Sequence, residues 1–144
     1  MLIGEYTHTL DGKNRLSLPS KFRREMGKRV IMTPGLDGCL FVFTVKQWQT
    51  ISEKLSESSM LQSDSRSFNR FMFGGAEEAL VDSIGRILVP EFLKIRARLK
   101  ERVTIIGVET RLEIWNEKEW FEYKQTVEKR AGALAEKLGS VGVL

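Results

Sequence analysis

The chain is a tandem repeat, and this feature limits its possible folds more than any other. The segment Leu10–Pro19 (LDGKNRLSLP) returns 71 residues later as Val81–Pro90 (VDSIGRILVP). Both copies contain an Asp-x-x-x-Arg motif that is followed by an apolar-x-apolar-Pro ending. Two copies at this long period do not fit a solenoid, so the sequence predicts one domain with pseudo-two-fold symmetry.

Composition places the chain among ordinary globular domains. Its 144 residues, 42% hydrophobic and 29% charged, suffice for one well-filled core. No apolar run is long enough to span a bilayer and no signal peptide is recognised, so we expect a cytoplasmic protein without a membrane partner. One His and one Cys are too few for a zinc site or a catalytic triad. We therefore expect no metal, no cofactor, no small-molecule substrate and no enzymatic activity, and Cys39 is predicted to be a small buried hydrophobe.

Positive charge is concentrated after the two motifs. The formal net charge is +4, yet residues 11–29 alone carry +5 and residues 82–102 carry +3. The remainder of the chain is therefore net acidic. Cations at equivalent places in two repeats can form one positive face, which attracts polyanions such as nucleic acid.

Alternation, turn residues and apolar spacing predict similar elements in both repeats. The predicted strands cover residues 5–10, 16–18, 30–33 and 40–43 in the first repeat and residues 103–106 and 112–115 in the second. A short helix is predicted over 21–26. Capping boxes that start at Thr44 and at Asn116 each predict a helix at the end of a repeat.

The longer helices are predicted from their apolar faces. They cover residues 45–55 and 64–73 in the middle of the chain, and a terminal helix ends near Gly139. The aromatic residues of the second stretch are predicted to be core or subunit contacts rather than stacking partners for bases. The predicted parts of one compact domain are the first repeat (1–48), linking helices (49–78), the second repeat (79–120), and a C-terminal helix with a tail (121–144).

The two motifs admit two interpretations. Asp11 and Arg15 flank a turn and can pair across it, and the same pairing is available to Asp82 and Arg86. Each arginine is either a structural brace, which holds the turn in shape, or a planar fork, whose guanidinium binds a phosphate or the edge of a guanine base. Both interpretations are open for Arg15, whose turn also carries a lysine and an asparagine. The brace is favoured for Arg86, whose turn carries serine, isoleucine and glycine instead.

The N-terminal fifteen residues, the paired motifs, and Gly107 with Leu112-Glu113-Ile114-Trp115 closely resemble the MraZ family over essentially the whole chain. The resemblance implies an α+β fold in which two tandem pseudo-two-fold repeats form an AbrB-like, swapped-hairpin, double-psi-like β-barrel flanked by helices. It also implies a cytoplasmic, nucleoid-associated transcriptional regulator. Such a protein binds double-stranded DNA at short repeated boxes upstream of the division and cell-wall gene cluster, as a ring-shaped homo-oligomer.

By the same resemblance Arg15 is the leading DNA contact, with Lys13 and Asn14 beside it; Asn14 stands where the family usually has glycine. Arg23 and Arg24 are expected to face the same DNA, whereas Asp11, Asp82 and Arg86 belong to the structural motif. The alternative hypothesis is an oligomeric structural or protein-binding scaffold in which both Asp-x-x-x-Arg pairs are braces. The middle and terminal helices are expected to contribute subunit contacts.

Overall fold

Each repeat folds into the same succession of elements, β-β-α-β-β-α, with one extra helix between the repeats. The structure, a computed structural model, describes all residues 1–144. The elements are β1 (Ile3–Thr9), β2 (Arg15–Ser17), α1 (Ser20–Met26), β3 (Arg29–Pro34), β4 (Leu40–Thr44), α2 (Val45–Ser56), α3 (Ser63–Gly74), β5 (Glu77–Leu80), β6 (Arg86–Leu88), α4 (Glu91–Arg96), β7 (Arg102–Val108), β8 (Leu112–Asn116) and α5 (Glu117–Ser140). The predicted strands and helices are confirmed, with boundaries that differ by one or two residues.

The first strand of each repeat pairs with the third strand of the other. The main sheet is antiparallel and has the order β1-β7-β8-β4-β3-β5, which is unchanged when the repeats are exchanged. β1 pairs with β7 from Ile3 opposite Val108 to Thr9 opposite Arg102. In the same way β5 pairs with β3. The predicted pseudo-two-fold arrangement is therefore visible in the strand pairing.

The expected closed barrel is not formed, and the fold is an α+β arrangement with an open sheet. β1 and β5 remain as the two edges of the six-stranded sheet. The reason is that β2 and β6 have only three residues each and pair with one another. They form a separate two-stranded sheet, which we call the ribbon, instead of joining the two edges.

The ribbon has one buried and one outward face. Leu16 lies opposite Ile87, and both are almost completely buried. Successive side chains of a strand point to opposite faces. The flanking residues on the outward face are Arg15 opposite Leu88 and Ser17 opposite Arg86.

Two apolar clusters hold the chain together. The larger contains 19 buried residues and lies between the main sheet, the ribbon, α1 and α4; Tyr6 of β1 packs edge-on against Phe22 of α1 at 5.2 Å. The smaller lies under α2, α3 and α5 and includes Cys39. The prediction for Cys39 is confirmed, and burial raises the pKa of its thiol to about 12.

The two predicted caps are present at the starts of α2 and α5. The backbone N–H of Gln47 donates to Thr44 Oγ1 at 3.0 Å, and that of Glu119 donates to Asn116 Oδ1 at 3.1 Å. The carboxylate of Glu119 accepts from Arg98 Nε rather than turning back to the cap. No helix of the chain combines the length and the apolar character needed to cross a bilayer.

The close pairing of β1 with β7 predicts that Gly107 tolerates no side chain. A Cβ at this position would lie 2.5 Å from the carbonyl carbon of Leu2 and 2.6 Å from the nitrogen of Ile3. Gly107→Ala should therefore lower the free energy of unfolding by about 1–3 kcal/mol, as measured by urea denaturation. Gly132→Ala is the control, because a Cβ there meets nothing within 4 Å and should stabilise the helix by about 1 kcal/mol. Equal effects of both substitutions would contradict the pairing.

Candidate nucleic-acid interface

Two turns of identical construction precede the strands of the ribbon; we call residues 11–15 loop 1 and residues 82–86 loop 2. In loop 1, Asp11 Oδ1 accepts from the backbone N–H groups of Lys13 and Arg15, both at 2.9 Å. Asp11 Oδ2 accepts from Arg15 Nε at 2.7 Å. Loop 2 repeats the three bonds from Ile84, Arg86 and the Arg86 side chain, at 3.1, 2.8 and 2.7 Å.

The fourth residue of each loop has a left-handed backbone. Its φ is 60° at Asn14 and 85° at Gly85. Asparagine is one of the few residue types besides glycine that adopt this conformation at small cost. Loop 1 therefore keeps the shape of loop 2 although its side chain differs.

The hydrogen bonds of the loops stabilise the ionised carboxylates. The backbone N–H of Arg15 contributes most, followed by the Arg15 side chain and the N–H of Lys13; together they lower the pKa of Asp11 from 3.8 to about 2. The pKa of Asp82 is lowered as well, chiefly by the backbone N–H of Arg86 and then by its side chain. Both loops are thus held by a carboxylate that stays charged at neutral pH.

Each arginine acts as a brace with only part of its guanidinium. Arg15 and Arg86 use Nε for the bond to aspartate, and their two terminal amino groups make no hydrogen bond within the chain. Both side chains are half-buried, with 36% and 30% of their surface exposed. The brace and the anion-binding fork are therefore compatible in one residue, and loop 2 has the same geometry as loop 1.

The register of the ribbon puts both arginines on its outward face. Arg15 and Arg86 lie two residues apart on neighbouring strands, so their Cα atoms are roughly 8 Å apart. Ser17 and Leu88 lie between them on the same face. Sequence spacing separates the motifs by 71 residues, whereas the fold makes them neighbours.

Arg23 lies beside loop 2 rather than beside loop 1. Its Nε donates to the carbonyl oxygen of Leu18 at 2.9 Å, and its side chain covers Gly85, where an added Cβ would collide with it. Arg24 is exposed, as is Lys13. Burial, and next the charge of Arg23, lower the pKa of His8, the strand residue before loop 1.

Loop 1 contacts the second repeat in the corresponding way, through Asn14 and through two residues of α4 that sequence analysis missed. Asn14 Nδ2 donates to Glu91 Oε2 at 2.7 Å, and Lys94 Nζ donates to Asn14 Oδ1 at 2.9 Å. Lys94 occupies the position of Arg23 in the repeat, 71 residues later. The equivalence of Lys94 and Arg23 was the signal in the sequence that could have pointed to Lys94. It could not show that α1 and α4 each lie beside the loop of the other repeat.

The two repeats present different chemistry at equivalent surface positions. Five positions of the first repeat are polar or basic, and their counterparts in the second are large, apolar and at least 50% exposed. The pairs are Thr9 and Leu80, Lys13 and Ile84, Ser17 and Leu88, Lys21 and Phe92, and Arg24 and Ile95. We call the five second-repeat residues the apolar face.

No group of three or more His, Cys, Asp and Glu side chains is placed to hold a metal ion.

Comparison with known proteins gives matches along the whole chain. The family model described as "MraZ protein, putative antitoxin-like" matches twice, over residues 1–71 and 72–138. The transcriptional regulator MraZ of Clostridium acetobutylicum is 44% identical over 143 residues, which is 99% of this chain and 100% of that protein. The transcriptional regulator MraZ of Caldicellulosiruptor saccharolyticus is 46% identical over the same shares of both chains. The second family match starts 71 residues after the first, in agreement with the repeat period.

The lowered pKa of Asp11 predicts that loop 1 loses its stabilisation in acid. A carboxylate with a pKa of about 2 in the folded chain and 3.8 in the unfolded one stabilises the fold fully above pH 3.8 and progressively less as the pH falls toward 2. Asp11→Asn should therefore lower the free energy of unfolding near neutral pH, with a difference from wild type that shrinks in acid. Urea denaturation across this pH range measures it. A difference that does not change with pH would contradict the assigned hydrogen bonds.

Proposed function

The chain belongs to the MraZ family, and on this premise we propose that it regulates transcription by binding double-stranded DNA. The relatives named above are transcriptional regulators, which supports a regulatory rather than a catalytic role. The family resemblance extends the proposal to short repeated boxes upstream of the division and cell-wall gene cluster. The proposed location is the nucleoid in the cytoplasm.

The observation that carries the proposal is the outward face of the ribbon. The major groove of B-DNA is wide enough for a two-stranded β-ribbon. Arg15 and Arg86 lie on one side of such a ribbon, and each has two amino groups without a partner in the chain. A guanidinium can bind the O6 and N7 atoms of guanine. The aspartate bond restricts the rotamers of each arginine before DNA arrives, which lowers the entropic cost of binding.

The first repeat supplies the cations that suit phosphate contacts. Lys13 and Arg24 are exposed, and Arg23 places a further guanidinium beside loop 2. Such contacts release counterions, so the affinity should fall steeply with salt and depend little on sequence. In this proposal the ribbon selects the bases, and Lys13, Asn14, Arg23 and Arg24 orient the protein on the duplex.

The proposal includes a homo-oligomer, which the family resemblance suggests to be a ring. Two exposed apolar regions support self-association: the α4 part of the apolar face, Phe92 and Ile95, and the end of α5, where Leu138, Val141 and Val143 are exposed. α5 has 24 residues and is about 36 Å long, and its packing is against β7 and β8. Several linked subunits raise the effective concentration of each loop at neighbouring boxes, so the array is bound more tightly than one box.

We expect Arg15→Ala to abolish preference for the box array, because it removes both the brace and the fork of loop 1. The measurement is fluorescence anisotropy at several salt concentrations, on DNA with the boxes upstream of the protein's own gene and on scrambled DNA. A loss of about 1–3 kcal/mol per box is expected from one guanine contact.

Arg130→Ala is the matched control, since it removes the same charge from the exposed part of α5. It should bind the boxes as the wild type does. Equal affinity of wild type and Arg15→Ala for the array would refute the role of Arg15. The thermal midpoint of both variants must be compared, so that loss of folding is not taken for loss of contact.

A second candidate function is a scaffold in which the loops are braces only, and the apolar face is the observation that favours it. Both functions need an assembly, but only regulation needs DNA. Purified protein that carries no nucleic acid, seen from its absorbance at 260 nm before and after a high-salt wash, would favour the scaffold.

Replacing the α4 part of the apolar face by the residues of the first repeat should dissociate the oligomer. The variant Phe92→Lys and Ile95→Arg places side chains that the first repeat already carries on the equivalent backbone, so folding should be preserved. Size-exclusion chromatography with light scattering should give a smaller mass than for wild type. Leu61→Lys, at a residue that is 87% exposed before α3, should leave the mass unchanged. A monomeric wild type would rule out the ring.

A further inference from the structure

A cavity of about 480 Å³ lies between loop 1 and the segment that joins α4 to β7. Residues 9–12 of the first repeat line one side, and Lys94 with residues 99–101 of the second repeat line the other. The backbone N–H of Leu10 donates to the carbonyl oxygen of Glu101 at 2.7 Å, which joins the two walls. The cavity therefore lies where the two repeats are hydrogen-bonded to each other.

The cations of this cavity come from the second repeat. Lys94 and Lys100 line it, and Lys13 follows its loop 1 wall. Of the two carboxylates on the walls, that of Asp11 is occupied by the hydrogen bonds of loop 1. That of Glu101 belongs to an exposed residue. The N–H bonds that Lys94 does not use for Asn14 can be donated to an anion, because an ammonium group has three donors.

Asn14 determines where the Lys94 ammonium lies. Its amide is placed between the carboxylate of Glu91 and the ammonium of Lys94, with bonds of 2.7 and 2.9 Å. Glu91 and Lys94 are three residues apart in α4, a spacing at which opposite charges pair directly. The amide of Asn14 separates them and holds Lys94 against loop 1.

We propose that this cavity is a phosphate-binding subsite, in which Lys94 binds the phosphate and Asn14 is the residue that positions Lys94. The inference rests on the proposed function and extends it, since the phosphate is taken from the backbone of DNA held by loop 1. The second repeat thereby contributes to the DNA contact of the first. Loop 2 differs, because the equivalent cation, Arg23, lies directly over Gly85 there.

The first test is Lys94→Gln, measured by fluorescence anisotropy on the box array over a range of salt concentrations. Loss of one phosphate contact should weaken binding about three- to tenfold and reduce the slope of log affinity against log salt by about 1, on boxes and on scrambled DNA alike. Lys129→Gln, on the exposed part of α5 and outside the lining of the cavity, removes the same charge and should change neither quantity.

The second test separates positioning from stability. Asn14→Gly suits the backbone at φ 60° and should keep the fold, but it lets Glu91 pair with Lys94, so binding should weaken about as much as in Lys94→Gln. Adding Glu91→Gln to Asn14→Gly should restore most of the affinity. The same Glu91→Gln change in the wild type should raise affinity much less, and a merely structural role of Asn14 predicts no such rescue.

The outcomes distinguish this inference from the proposed function. If wild type prefers the boxes and needs Arg15, but Lys94→Gln leaves affinity and salt slope unchanged, the DNA subsite is overturned. Isothermal titration with inorganic phosphate then decides whether Lys94 binds a free phosphate instead; no binding overturns the subsite entirely. If wild type binds no DNA, the proposed function fails, and the phosphate titration still tests the cavity.

Discussion

The pairing of β1 with β7, and of β5 with β3, is the constraint on which the rest of the structure depends. Because each repeat gives its first strand to the half-sheet of the other, the loop that follows this strand lies beside the other repeat's short helix. Loop 1 meets α4 through Asn14, and loop 2 meets α1 through Gly85. Neither repeat could form its loop environment alone, so folding of one half and completion of the other half's surface are coupled.

The aspartate–arginine bond contributes geometry more than stability. The pairs are partly exposed, and such ion pairs are worth little in water. Their effect is on conformation: one carboxylate closes the turn through two backbone N–H groups and holds the arginine through Nε. The terminal amino groups stay available. A residue that the sequence offered as either a brace or a fork can thus be both, and the distinction drawn between Arg15 and Arg86 has no counterpart in their hydrogen bonds.

Local elements were predictable from the sequence because their signals are local. Alternation placed the strands, and side-chain caps placed the starts of α2 and α5. The prediction of a closed barrel was wrong. β2 and β6 have only three residues each, and this length depends on where loop 1 and loop 2 end, which are far apart in the sequence. Arg23 was expected to face the same DNA as loop 1, but the sequence could not show which loop it lies against. Its contact with Gly85, like that of Lys94 with Asn14, follows only from strand pairing across the repeats.

The difference between the apolar face and its basic counterpart gives the chain a direction. An object with true two-fold symmetry looks the same from both ends, and on a duplex it matches an inverted repeat. Here the backbone is nearly symmetric, but the side chains at Lys13 and Ile84, or at Ser17 and Leu88, are not. A single subunit laid on a duplex would therefore have a head and a tail. Successive subunits in the same orientation would suit boxes arranged as direct repeats, with the strand polarity of the duplex matched by the polarity of the protein.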